Sequence, residues 1–456
     1  MVGSTVGELT GPMATWVADV AGAPVRAARR VAAGGRRHGY VVELADGRPV
    51  FLTQQVDAST ARLPSLSLAS EARLLAALSR TAVPAPHILG VSPDGLAMLA
   101  TLVPGTASYS SLRDESVRVT VARDFMRCLA ELHRVDPRQL DVPEFGQPGT
   151  ARQHLRQFLD TWEKFYRAGP NGSDVLIEFG LSWLRDHVPN VEAAAAIVQG
   201  DTGPGNFMFD GDRVTAILDW ELAHLGDPLE DLGWLSMRCA QEPFPDFAAR
   251  LLEYQNLSGR PLDLDRLRYY RVLAEWTIAL VGHLKPRRGL GDSERGNAIV
   301  FETLHRRLTI EAIAEAEGLE LAPVELPEWA DTARTWLFDM ALDQLRESVL
   351  PHVDHPLAAR RTKGVARVIK VLREADRFGG ADERAEEESL RRLVSAGTIT
   401  RMRQDLCERI RLRTVGKAGV LDHLWLLVSL ENELMRPAMG RLADRHLDTL
   451  PTLGSP

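Results

Sequence analysis

Three cysteines in 456 residues, Cys128, Cys239 and Cys407, are too few and too scattered to frame a disulfide scaffold or a zinc knuckle. Each falls in a helix-like stretch, where a small buried thiol is the plainer reading. No apolar stretch reaches spanning length before a charge interrupts it, so no membrane helix is expected. Between Met1 and Thr10 no basic start leads into an apolar run; no secretory leader is expected, and the chain reads as cytoplasmic. Basic excess is missing too. A formal net charge of -8 speaks against a nucleic-acid or anionic-membrane partner, whose footprint is a basic surface. There is no internal repeat and no long low-complexity segment. What remains is ordinary globular composition, 45% hydrophobic and 25% charged, in a chain long enough for two or three domains.

The first hundred residues mix short strands with turns. Tyr40–Leu44 and Pro49–Leu52 are β-prone runs joined by Asp46-Gly47, a hairpin signal. Leu68–Leu78 has helical periodicity with Glu71 near its start, and further strands are expected around His87–Val91 and Leu96–Leu102. From Ser111 onward helices dominate: Val117–His133, Ala151–Arg167, Val175–His187, Leu229–Cys239, Leu264–His283 and Ser293–Glu315. Between them lie a short buried strand, Ala195–Val198, and one hairpin, Asn206–Phe209 with Arg213–Leu218 across Asp210-Gly211. Beyond Gly318–Pro327 the pattern is almost all helix. The expected domains are residues 1–103, 104–325 and an appended helical domain, 326–456, a surface for homo-oligomer or partner contacts.

The chemistry concentrates in Gln199-Gly200-Asp201-Thr202-Gly203-Pro204-Gly205-Asn206, followed by Leu218-Asp219-Trp220-Glu221. A strand runs into a loop bearing a carboxylate; a carboxamide follows, then a hairpin, then a second carboxylate at a strand end. Phosphoryl transfer asks little covalent chemistry of a protein and much positioning and charge neutralisation. One carboxylate can orient an acceptor hydroxyl and take its proton. An amide oxygen and a second carboxylate suit magnesium, which favours hard oxygen ligands. The hairpin is the device that can bring Asn206 and Asp219 to one metal. Taken singly, Asp201 and Asp219 also read as turn or cap residues.

The segment Gly200-Asp201…Asn206…Asp219-Trp220-Glu221…Gly226-Asp227-Pro228…Asp231-Leu232-Gly233-Trp234 resembles the aminoglycoside phosphotransferase family, within it the branch related to kinase domains fused to acyl-CoA dehydrogenases. The resemblance implies an α+β, protein-kinase-like two-lobed fold, with a small antiparallel sheet lobe and a larger helical lobe, here followed by the appended helices. It implies ATP, magnesium and a small hydroxylated acceptor. By motif, Asp201 corresponds to the catalytic aspartate, Asn206 and Asp219 to the metal ligands, and Gln199, Asp227 and Asp231 to loop supports. Gln199 stands where the family usually has histidine. Gly34-Gly35-Arg36-Arg37 occupies the place of the phosphate-covering loop, and Ala100–Val103, with Thr101 and Val103, resembles the connector whose backbone receives adenine. The strand lysine that pairs with a helix glutamate is absent: Thr53 or Gln54 takes its place, while Glu71 fits the glutamate. Either Arg36 or Arg37 supplies that charge from the loop, or the pair is a solvated basic turn. His133 and His224 read as structural, and Trp162, Phe165 and Tyr166 as core. Two functional readings follow: a kinase of a small hydroxylated molecule such as a hydroxyacyl-CoA or hydroxy acid derivative, or a degenerate kinase fold that binds nucleotide or a CoA-like ligand as a regulatory or scaffolding partner.

Overall fold

A computed structural model describes residues 9, 11–31, 37–55, 64–285 and 295–451. The chain divides into two compact units, one made of Met1–Thr161, Asn190–Leu267 and Asp448–Pro456, the other of Trp162–Pro189 and Arg268–Leu447.

In the first unit, helix α1 (Gly11–Ala21) leads into strands β1 (Val25–Val31), β2 (Arg37–Leu44) and β3 (Pro49–Gln55). Helix α2 (Leu68–Leu78), β4 (Ile88–Val91) and β5 (Ala97–Thr101) complete an antiparallel five-stranded sheet in the order β1-β2-β3-β5-β4. Strand alternation gives the sheet one core face: Tyr40, Val42 and Leu44 from β2, Val50 and Leu52 from β3, and Ala97 and Leu99 from β5 pack under Val17 and Ala21 of α1. The β2–β3 turn is built as its Asp-Gly pair requires. Gly47 takes φ +86°, and Asp46 accepts from the Arg48 amide at 3.0 Å. Helix α2 starts at Ser67, whose hydroxyl accepts from the Ser70 amide, and runs over the residues its periodicity predicts.

Two elements of this region escape the sequence pattern, α1 and β1. Strand β1 is an edge strand of sequence Val-Arg-Ala-Ala-Arg-Arg-Val with Ala28 as its buried residue, so its arginines read as a solvated stretch.

The rest of the first unit carries α3 (Glu115–Leu132) and most of α4 (Ala151–Ala168). In the second unit, α5 is Val175–Asp186. Back in the first, β6 (Ala196–Val198), β7 (Phe207–Asp210), β8 (Arg213–Ile217) and β9 (His224–Gly226) precede α6 (Pro228–Gln241) and α7 (Phe247–Ser258). The expected hairpin is β7–β8. A second ribbon accompanies it, because β6 pairs with the three-residue β9. That pairing joins residues far apart in sequence and has no local signature. Helix α6 begins with Asp227 as its cap and Pro228 in its first turn.

The second unit also holds most of α8 (Leu264–Leu284), then α9 (Arg295–Glu317), α10 (Thr335–Gln344), α11 (Pro356–Phe378), α12 (Ala381–Arg391), α13 (Ile399–Leu412) and α14 (Lys417–Met439). Helix α14 packs on α9, α11 and α12, and α13 packs on α5. Among the described residues no helix is long and apolar enough to cross a membrane. The three cysteines are buried, and none of them forms a disulfide.

Candidate active site

The loop after β6 is held from beneath by one buried carboxylate. Asp231, on the first turn of α6, accepts from the backbone amides of Gln199 and Gly200, each at 3.0 Å, and from the Thr202 hydroxyl at 2.5 Å. Its own anchor is His133, with Nε2 at 3.1 Å; the other ring nitrogen of His133 lies 2.7 Å from the Tyr254 hydroxyl. Burial would raise it, but the hydrogen bonds from His133, Thr202 and the backbone amides outweigh that, and Asp231 stays below the usual carboxylate range. His133 is therefore a buried strut, in line with its structural reading. Asp227 caps α6 through the Leu229 amide and lies 3.3 Å from the Arg266 guanidinium.

Gln199 stitches the two halves of the motif together. Its Oε1 accepts from the Asp201 amide at 2.8 Å and lies 3.1 Å from the Thr202 hydroxyl, whose proton goes to Asp231. Its Nε2 donates to the carbonyls of Leu218 and Asp219 at 2.9 and 2.8 Å. A carboxamide offers a donor and an acceptor at once, which is what a bridge between two carbonyls and an N–H demands.

On this frame the Asn206 Nδ2 donates to the Asp201 carbonyl at 2.7 Å and to Asp201 Oδ2 at 2.8 Å, leaving Oδ1 as its acceptor end. The Leu218 amide bonds the Asn206 carbonyl at 2.8 Å, so the hairpin brings Asn206 and the Asp219 segment together. Asp219 sits in the left-handed region at φ 58°, ψ 63°, a conformation costly for a non-glycine residue and concentrated at functional sites. Burial, then the nearby carboxylates of Glu221, Asp201 and Glu71, push it up to about 7, with Arg37 pulling the other way.

An arginine of the sheet pairs with the helix glutamate. Arg37 is the first residue of β2 rather than part of a solvated turn, and its Nη1 lies 2.5 Å from the Glu71 carboxylate. Its Nη2 is 3.5 Å from Glu221. Burial would lower Arg37, but Glu71 and Glu221 raise it above the ordinary arginine value. Glu71 is buried, not solvated; burial lifts it and Arg37 opposes the lift. The first lysine in the chain is Lys164, so no lysine of the sheet is available for this partner. Register settles which β3 residue shares the face. Thr53 pairs with Gly39, two residues from Arg37 and on the same side, whereas Gln54 pairs with His38 and Ala97 and turns to the α1 face. Gly34, Gly35 and Arg36 lie outside the described residues. Thr101 closes β5 and accepts from the His87 amide through Oγ1 at 3.2 Å. Val103 follows it, half-buried, ahead of Pro104-Gly105. Gly105, at φ +99°, lies so close to the Phe209 carbonyl that a Cβ would meet it at 2.0 Å, so the connector rests on the hairpin.

Sequence reasoning passed over a second arginine. Arg238, in the last turn of α6, donates through Nε to Asp201 Oδ1 at 2.8 Å and through Nη2 to Asp201 Oδ2. A signal existed, since Asp231 and Arg238 are seven residues apart on one helix and so share a face. His224 lies 3.1 Å from Glu230 and is also clear of the reacting groups named by the motif. Trp162 and Tyr166 are buried core.

The donor set fits magnesium in one specific way. Among the described residues no cluster of three or more His, Cys, Asp or Glu side chains is placed to hold a metal alone. Asn206 and Asp219 supply an amide and a carboxylate, and magnesium commonly completes its shell with water and substrate phosphate. Around them Asp201, Asp219, Glu221 and Glu71 face the guanidiniums of Arg37 and Arg238. The surplus of clustered negative charge is what a divalent cation would offset.

The model of the phosphotransferase enzyme family matches residues 27–276. Over 207 residues the chain is 30% identical to mouse (Mus musculus) acyl-CoA dehydrogenase family member 10, covering 43% of this chain and 19% of that protein. Over 137 residues it is 33% identical to mouse acyl-CoA dehydrogenase family member 11, covering 30% and 16%. The chain thus spans less than a fifth of those relatives' length. A crystal structure from Ralstonia eutropha JMP134, provisionally assigned as an aminoglycoside phosphotransferase, superposes with a TM-score of 0.50 at 21% identity, over 66% of this chain and 94% of that one.

Proposed function

The chain belongs to the phosphotransferase enzyme family, with an aminoglycoside-phosphotransferase-like kinase fold, and from that premise we propose that it is an ATP- and magnesium-dependent kinase of a hydroxyl group on a small molecule. The observation that carries the reading is the Arg37–Glu71 pair at 2.5 Å beside Asp219. In this reading it supplies, from β2, the cation that β3 lacks.

Asp201 orients the acceptor hydroxyl and takes its proton. The hydroxyl oxygen bonds to the γ-phosphorus, the bond from that phosphorus to the bridging oxygen breaks, and ADP leaves with the electron pair. Asn206 and Asp219 would hold magnesium, which supplies charge neutralisation on the phosphates. Arg37, held by Glu71 and Glu221, faces the nucleotide phosphates from the sheet; Thr53 lines the same face, and Thr101 and Val103 lie on the adenine connector. Gln199, Asp227 and Asp231 keep the loop in shape. The sheet region to residue 103 serves as the nucleotide lobe and 104–325 as the catalytic lobe. Beyond them, exposed Trp336, Met340, Val365 and Leu372 suit a protein contact for the helices after 326. The acceptor proposed is a hydroxy acid or hydroxyacyl derivative, in keeping with the acyl-CoA named in the chain's dehydrogenase relatives.

Calorimetric titration with a non-hydrolysable ATP analogue tests the site. Wild type should bind it in the presence of magnesium and lose that dependence in Asp219→Ala. Binding that ignores both magnesium and the substitution would transfer the protein to the non-catalytic, scaffolding reading.

A further inference from the structure

Asp201, the group a kinase needs to meet its acceptor, is already engaged. Arg238 grips both of its oxygens, side-on, from α6. Among the described residues, the recorded hydrogen bonds of this guanidinium go to Asp201 alone, through Nε and Nη2. A guanidinium has five N–H donors in a fixed fork; the Nη1 edge is therefore available for a further acceptor. The stem is held as firmly as the head. Gly203, at φ +143°, passes so near that a Cβ there would lie 2.6 Å from Arg238 Cβ. The side chain keeps 21% of its surface exposed, so the head reaches the open side of the site rather than being sealed within it. Glu242 and Asp219 add negative charge around it.

A cation fixed beside the carboxylate that receives the hydroxyl sets the charge of the acceptor. A polycationic acceptor would bring like charge against Arg238. A neutral alcohol would leave the free edge without a partner. An anionic group close to the hydroxyl would complete it with charge-assisted, two-pronged hydrogen bonds. We propose that Arg238 is the acceptor-selecting residue of this site and that the acceptor is a small hydroxy acid, whose carboxylate takes the free edge of the guanidinium while its hydroxyl is presented to Asp201. This rests on the kinase reading and narrows its acceptor from hydroxylated molecules in general to those with a free carboxylate near the hydroxyl. Bond changes are those of the kinase reaction above, and the carboxylate is untouched.

The test uses the full chain, ATP and magnesium, with lactate, β-hydroxybutyrate and γ-hydroxybutyrate, each beside its primary amide. Acid and amide differ in charge and little in shape. For at least one pair, wild type should favour the acid by roughly tenfold or more in kcat/KM, the scale of hydrogen bonds to a charged group. Arg238→Gln should bring that ratio close to one, mainly by raising KM for the acid, and Arg238→Lys should retain part of it. Binding of the ATP analogue to each variant establishes that the fold and nucleotide site survive. Equal use of acid and amide by wild type, a ratio unchanged in Arg238→Gln, or no acid either phosphorylated or bound in the presence of the analogue each overturns the inference. A loss of analogue affinity in Arg238→Gln with the ratio unchanged reassigns the arginine to the donor phosphates. Failure of wild type to bind nucleotide at all sinks the kinase reading itself, an outcome distinct from all of these.

Discussion

Asp201 and Asp219 are the same residue type in one hydrogen-bonded unit, yet the protein treats their charges in opposite ways. The loop carboxylate is met side-on by a guanidinium. The hairpin carboxylate is crowded by Glu221, Asp201 and Glu71, is pushed up to about 7, and is opposed by Arg37, whose ion pairs go to Glu71 and Glu221 instead. The difference teaches where the protein supplies the counter-charge and where it leaves one to be supplied. A carboxylate crowded by others is an electrostatic cost, and such costs persist where a ligand offsets them.

The sharpest way to break the comparison is at the loop carboxylate. Asp201→Asn keeps the shape, removes the proton acceptor and releases Arg238; turnover should fall by about 10²–10⁴-fold, with magnesium-dependent binding of the ATP analogue retained. Single-turnover phosphate transfer measures it, and an undiminished rate would end the assignment. At the other pole, Arg37→Gln strands Glu71 in the interior and should cost about 3–5 kcal/mol, as loss of one partner of a buried pair does. Urea unfolding reads that loss. Adding Thr53→Lys, on the same sheet face, should return part of the stability and part of the nucleotide affinity; no recovery would mean that β3 cannot deliver a cation to this site.

Smaller effects sharpen the contrast. Gly203→Ala puts a Cβ against the Arg238 stem at a φ of +143° and should destabilise by roughly 1–3 kcal/mol while lowering turnover, because the clamp on Asp201 is displaced. Differential scanning calorimetry alongside kinetics separates the two. Last is His224, away from both carboxylates. Burial would lower it, but the Glu230 carboxylate at 3.1 Å overrides that and raises it to about 9. The native state therefore holds a proton that the unfolded chain releases near pH 6.5. Stability from this pair is full below about pH 6.5 and is lost as pH rises through about 9. Wild type should melt progressively lower over that window, and His224→Gln should flatten the decline by a few degrees. An identical slope in the variant would place the titrating group elsewhere.

Helix α2 and the hairpin β7–β8 were legible because local pattern suffices for them: apolar period, a serine cap, an Asp-Gly turn. Strand β9 was not, since three residues acquire their conformation only from β6 across the intervening hairpin. The order of Asp201, Asn206 and Asp219 also stood out in the chain, as one loop and one hairpin carry all three. Of the two arginines, Arg37 stood out only as one of a candidate pair with Arg36, and Arg238 not at all. Arg37 reaches Glu71 across 34 positions and Arg238 reaches Asp201 across 37, and nothing local says which of many exposed-looking guanidiniums will be turned inward.

By itself, then, the sequence determined most of the elements, the family motif and the candidate chemistry, because those are properties of short segments with their own periodicity and turn residues. Only the tertiary structure decided the charge pattern of the site. It placed the strand cation on β2 instead of β3 and set a guanidinium on the loop aspartate. Such pairings arise when distant elements pack and burial forces each charge to find a partner, and the energy that selects them does not exist until the chain is folded.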